Sequence, residues 1–137
     1  MKILLVALAC GLTWQLAADI PPPPPPLPSQ ARELSVDEVA TLITQRKDVG
    51  VLDVRTAEEF AAGARLPGAK HLDFFREDFA PQLSRLGLDP SKPCVVYCAL
   101  GGRARRAAVT LAQAGFSDIA VLSGGCRAWK NAGKPTL

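Results

Sequence analysis

The sequence predicts an α/β protein, a small parallel β-sheet flanked by helices on both faces. Three observations carry this. Short β-branched runs at Val49 to Val54, Cys94 to Cys98 and Ile119 to Leu122 read as buried strands. Stretches of helical spacing separate them, several marked by their own start or stop signals. Strands alternating with helices need crossover connections, which build parallel sheets covered on both sides.

The elements follow in order. Ser35-Val36-Asp37-Glu38 has the form of a capping box, and Val36, Val39, Ala40, Leu42 and Ile43 continue at helical spacing. The run from Val49 to Val54 is the next strand. Thr56-Ala57-Glu58-Glu59 is a second capping box opening a short helix. Pro67-Gly68 marks a turn, and His71-Leu72 suits a brief strand. Phe75, Phe79, Leu83 and Leu86 predict a helix from Phe75 to Leu86, distorted near its start by Pro81. Cys94 to Cys98 is a buried strand. Arg103 to Ala114 is a strong helix, stopped by Gly115. Ile119 to Leu122 is a further strand, and Gly124-Gly125 leads into a last helix through Trp129.

Length and composition bound the rest. A chain of 137 residues allows one domain and a tail. At 48% hydrophobic and 21% charged, it is not disordered as a whole. The net charge of +3 is too small to argue for nucleic acid, and no aromatics interleave the arginines. The single histidine excludes a three-histidine metal site, and any Cys–His catalyst would have to use His71. No metal and no cofactor is expected.

Residues 1–18 read as a secretory signal peptide. Met1-Lys2 is a basic start, Ile3 to Leu12 is apolar, and Leu16-Ala17-Ala18 offers a cleavage site. The apolar run is far short of the roughly 20 residues a bilayer demands. A competing reading is a lipid anchor on Cys10, since Ala7-Leu8-Ala9-Cys10-Gly11 loosely matches a lipobox. Seven of the 12 prolines fall between Pro21 and Pro28, so residues 19–32 are expected to form a stiff, extended linker. The remaining residues, 33–137, form the domain. The expected location is exported, periplasmic or extracytoplasmic, with a membrane tether through the N-terminus as one form of it.

The chemistry converges on Cys98. The strand Cys-Val-Val-Tyr-Cys ends there, and Ala99, Leu100, Gly101, Gly102 and Arg103 lead into a helix. A helix N-terminus presents unpaired N–H groups and a positive dipole. Two glycines let the loop curl so that its amides face one centre. Arg103 adds a fixed charge. Together these favour a thiolate on Cys98 and would hold an anion carried on it. Packing alone does not account for Cys-x-x-Gly-x-Arg at such a junction. Cys94 reads as core, and His71 as a strand-end or surface residue. Trp129 reads as a core anchor. Arg103, Arg105, Arg106 and Arg127 could form a basic collar suited to small anions and an acidic protein partner.

These segments together resemble a known family. Val51-Leu52-Asp53-Val54-Arg55, Glu58-Glu59-Phe60, Leu66-Pro67-Gly68-Ala69, Cys98 to Arg103 and Gly124-Gly125-Cys126-Arg127-Ala128-Trp129 match, in that order, motifs of single-domain rhodaneses, thiosulfate sulfurtransferase-like proteins. The resemblance covers roughly residues 33 to 135. It departs in three places. Arg65 stands where the family usually has His, Ala104 where it often has Ser or Thr, and Cys126 where a larger apolar residue is common.

The resemblance implies a rhodanese-like fold and two-step sulfur transfer. Cys98 would take the outer sulfur of a small anionic donor such as thiosulfate and become a persulfide. A thiol, protein or cyanide acceptor would then remove it. Amides from Ala99 to Arg103 would bind the substrate sulfur and departing anion, and Arg103 would orient the donor. Asp53 and Arg55 are implied at the rim as supporting residues, Asp53 fixing loop hydrogen bonds; the plainer alternative is a structural ion pair. Cys126 is a candidate resolving thiol if its Cα lies within about 7 Å of that of Cys98. A monomer is expected. Two other functions stay open: a non-catalytic, redox or sulfur-carrier binding module, and a Cys-dependent phosphatase or arsenate reductase. Phosphatases of the Cys-x5-Arg type have one residue more in this loop, which suits a tetrahedral oxyanion better than a single sulfur.

Overall fold

The computed structural model describes residues 22–137. The expected signal peptide, Cys10 and the start of the proline run lie outside the described residues. Five strands form one parallel sheet: β1 (Ala31–Leu34), β2 (Gly50–Asp53), β3 (Ala69–His71), β4 (Cys94–Tyr97) and β5 (Ile119–Leu122). Their order across the sheet is β1-β5-β4-β2-β3, and every pairing is parallel. The helices are α1 (Val36–Gln45), α2 (Ala57–Ala61), α3 (Phe79–Leu83), α4 (Gly102–Gln113) and α5 (Gly125–Asn131).

Side chains alternate across β4, the central strand, and divide the core in two. Cys94, Val96 and Cys98 pack with Ala104, Ala107, Ala108 and Leu111 of α4 and with Phe79 and Leu83 of α3. Val95 and Tyr97 pack on the other face with Val39 of α1 and with Cys126 and Trp129 of α5. Helices therefore cover both faces, as the alternating pattern predicts. Both capping boxes are made, Ser35 with Glu38 and Thr56 with Glu59.

Two boundaries differ from expectation. The sheet takes in Ala31 and Arg32 from the expected linker, because β1 pairs with β5 from Ala31 onward, and Leu27 packs against the core. The helix expected over Phe75 to Leu86 is only Phe79–Leu83. Starting at Phe79 places Pro81 in the first turn, where backbone N–H groups have no partner within the helix. Phe75 is left 67% exposed.

Topology locates the site. β3 lies outside β2 while β5 lies on the far side of β4, so the chain leaves β2 and β4 in opposite directions. Such a reversal opens a crevice at the carboxyl ends of the two strands. Asp53 pairs with Tyr97 at those ends, which brings the segments after Asp53 and after Tyr97 together.

Candidate active site

Cys98 sits one residue beyond β4, 1% exposed. The chain then doubles back through Gly101, whose φ of 121° is open to glycine and costly for other residues. This curl lets the Gly101 N–H donate to Cys98 Sγ at 3.0 Å. The 12-residue α4 starts at the next residue, so its positive end faces the same loop. Ala104 is fully buried against the core, where a hydroxyl would need a partner. Of the amides expected from Ala99 to Arg103, that of Gly101 meets the sulfur.

Arg103 makes a bidentate pair with Glu59, with contacts of 2.7 and 2.9 Å. The Arg103 guanidinium holds the Glu59 carboxyl at about 2, although partial burial opposes it. Glu59 also accepts the Thr56 N–H at 2.8 Å, so one side chain caps α2 and holds Arg103. Two of the five guanidinium N–H groups bond to Glu59, leaving three for a ligand.

Asp53 and Arg55 are not at the rim. They are 0% and 6% exposed and form a buried pair with contacts from 2.7 to 3.0 Å. The Tyr97 hydroxyl donates to Asp53 Oδ2 at 2.7 Å and accepts the Leu66 N–H at 3.2 Å. Burial pushes the Tyr97 phenol up, and the adjacent Asp53 carboxylate pushes it further. Burial works against the Arg55 charge, but the hydrogen bonds and charge of Asp53 outweigh it and keep the guanidinium firmly protonated. This network ties β2, β4 and the segment before β3 together beneath the crevice. His71 Nε2 lies 2.8 Å from the Arg55 carbonyl, and its ring stacks on Phe60 at 4.4 Å. It braces this side of the site. Arg65, in the place usual for His, lies over the same Phe60 ring, with its Cζ 3.8 Å from the centroid.

The three described cysteines are free. Burial pushes the Cys94 thiol up to about 12, consistent with a core role. The Cys126 N–H donates to the Cys98 carbonyl at 2.8 Å, so standard bond lengths keep their Cα atoms within about 7 Å. Their sulfurs have different partners, however. Cys126 Sγ donates to the Ala64 carbonyl at 2.9 Å, and the two side chains pack into opposite core clusters. Burial raises the Cys126 thiol above its ordinary value.

The arginine collar is partly neutralised. Arg103 is held by Glu59 and Arg105 by Glu33 at 2.9 Å, while Arg106 and Arg127 are exposed. Beside the loop, a cavity of about 500 Å³ is lined by Arg55, Glu59, Ala99, Leu100, Cys126 and Arg127, among others. Leu100 and Phe75 stand exposed at 62% and 67%. No group of three or more metal-ligating side chains occurs among the described residues, and no helix among them is long and apolar enough to cross a membrane.

The pairing of Glu59 with Arg103 and the bond from Tyr97 to Asp53 are not evident in the sequence. The capping box already accounted for Glu59, and Arg103 lies 44 residues away. For Tyr97 a signal existed: alternation along β4 puts it opposite Cys98.

Fold and site together define an α/β protein with a buried cysteine at a glycine-rich loop between a central strand and a helix. The chain belongs to the rhodanese family: the rhodanese-like domain matches residues 35–132. It is 36% identical to the thiosulfate sulfurtransferase GlpE of Pseudomonas putida strain GB-1, over 75% of this chain and 81% of that protein. It is 33% identical to GlpE of Shewanella oneidensis, over 76% and 97%. Among solved structures it resembles the polysulfide-sulfur transferase homodimer of Wolinella succinogenes, at 33% identity, 80% coverage of both chains and a TM-score of 0.67.

Proposed function

We propose that this chain is a sulfurtransferase that moves sulfane sulfur from an anionic donor such as thiosulfate to a thiophilic acceptor through a persulfide on Cys98. The observation that carries the reading is the Gly101 N–H on Cys98 Sγ at 3.0 Å, at the start of α4. Kinship with sulfurtransferases supports it.

The step balances. The Cys98 thiolate attacks the outer sulfur of thiosulfate, a new S–S bond forms, the donor's S–S bond breaks, and sulfite leaves with the bonding pair. Cyanide or a thiolate then attacks the outer sulfur of the persulfide, and the Cys98 thiolate returns. Negative charge stays near Sγ throughout, where the loop amide and the α4 terminus favour it. Arg103 orients the donor through its unused N–H groups, while Glu59 fixes its guanidinium.

The test is steady-state thiosulfate:cyanide transfer beside hydrolysis of p-nitrophenyl phosphate. Parallel double-reciprocal lines for sulfur transfer and negligible phosphatase turnover are expected. Phosphatase turnover that rivals sulfur transfer would overturn the assignment.

A further inference from the structure

The two peptides after Cys98 have their carbonyls occupied from below. The Cys98 carbonyl accepts the Cys126 N–H at 2.8 Å, and the Ala99 carbonyl accepts the Arg127 N–H at 3.1 Å. Both donors belong to the first turn of α5, where N–H groups have no acceptor in their own helix. So close an approach depends on Gly125. A Cβ there would lie 2.5 Å from the Cys98 oxygen and 2.6 Å from both the carbonyl carbon and the oxygen of Ala99. Its φ of +62° also suits glycine.

The geometry has a consequence for the cradle. No described peptide is cis, and in a trans peptide the N–H points opposite to the C=O. Carbonyls of Cys98 and Ala99 turned toward α5 therefore turn the N–H groups of Ala99 and Leu100 away from it. α5 packs on the face that holds Cys126, whereas the Cys98 side chain packs on the other. The two amides thus face the sulfur's side of the loop, where the Gly101 N–H already meets Sγ.

We propose that Gly125 is a positioning residue for sulfur transfer. By admitting the first turn of α5 against two carbonyls, it fixes the direction of the Ala99 and Leu100 amides, which receive the charge of the persulfide together with that of Gly101. This rests on the sulfurtransferase reading and explains why a glycine outside the loop governs it.

The test compares Gly125→Ala with Gly124→Ala in the full chain. Gly124 also has a positive φ, of +73°, but a Cβ there would meet the Ala128 Cβ at 2.7 Å and not the loop. Melting temperature, kcat and KM for thiosulfate, and the rate of Cys98 alkylation by iodoacetamide are measured below both melting transitions. Gly125→Ala is expected to lose about a hundredfold in kcat, with KM within roughly twofold and alkylation slowed. Gly124→Ala is expected to lose stability and keep kcat and alkylation rate. Should Gly125→Ala not fold, Arg127→Pro against Arg127→Ala isolates one clamp N–H, because a first-turn proline removes no bond within α5. About tenfold lower kcat in the proline variant is expected.

Equal kcat loss in Gly125→Ala and Gly124→Ala, or no loss in either clamp comparison, would overturn the proposal. If the wild type takes no sulfur from thiosulfate, the sulfurtransferase reading fails. The alkylation comparison still decides the clamp: slowing confined to Gly125→Ala supports it, and equal rates refute it.

Discussion

Two arginine–carboxylate pairs flank the Cys98 loop, with similar contacts and different surroundings. Asp53–Arg55 joins residues two apart and is almost wholly buried. Glu59–Arg103 joins α2 to α4, with side chains 36% and 20% exposed. The first is tied further to the Tyr97 hydroxyl, and only the edge of Arg55 reaches the wall of the cavity beside the loop. The second leaves three guanidinium N–H groups outside the pair. Chemically like pairs thus differ in burial, and the proposed division, Asp53–Arg55 as a brace and Arg103 as the group that orients the donor, can be tested.

The largest effect falls on the brace. Asp53→Asn leaves Arg55 buried without its counter-charge and is expected to cost about 3–5 kcal/mol in a urea or thermal melt. A loss within about 0.5 kcal/mol, as for an ordinary surface site, would dissolve the comparison. Arg103→Ala is expected to reverse the pattern. Its kcat/KM for thiosulfate falls by about tenfold or more, roughly one charge-assisted contact, while stability changes by no more than about 1 kcal/mol.

A smaller effect is a pH dependence. The Glu59 carboxyl titrates at about 2 when folded and near 4.5 unpaired. A lowered folded value means its stabilisation is complete above about 4.5 and disappears as pH falls through about 2. Acid titrations of Glu59→Gln should lack that part of the stability loss, and added salt should weaken it in the wild type. The smallest effect concerns Cys94. With its thiol near 12, it should resist alkylation at pH 8 until the chain is unfolded, whereas Cys98 labels in the native protein.

Much of this was legible in the sequence where the determinants are local. The capping boxes at Ser35 and Thr56 located α1 and α2, and β-branched runs located β2 and β5. The turn that brings the Gly101 amide to Cys98 was legible because Cys98, the two glycines and Arg103 are contiguous. β1 was missed because Ala31-Arg32-Glu33-Leu34 has no β-branched run and leaves its two middle residues exposed; pairing with β5 makes it a strand. Asp53–Arg55 was legible as a pair, but its burial depends on Tyr97 and Leu66. Glu59–Arg103 and the contact of Gly125 with Cys98 span separations that no spacing rule covers, and only the sheet order brings them together.

The central claim is that Cys98 carries sulfur. Its most direct test is the intact mass of the reduced wild-type protein after thiosulfate and removal of small molecules. The account predicts a gain of one sulfur atom, lost on adding cyanide and absent in Cys98→Ser. No gain in the wild type, or the same gain in Cys98→Ser, would contradict it.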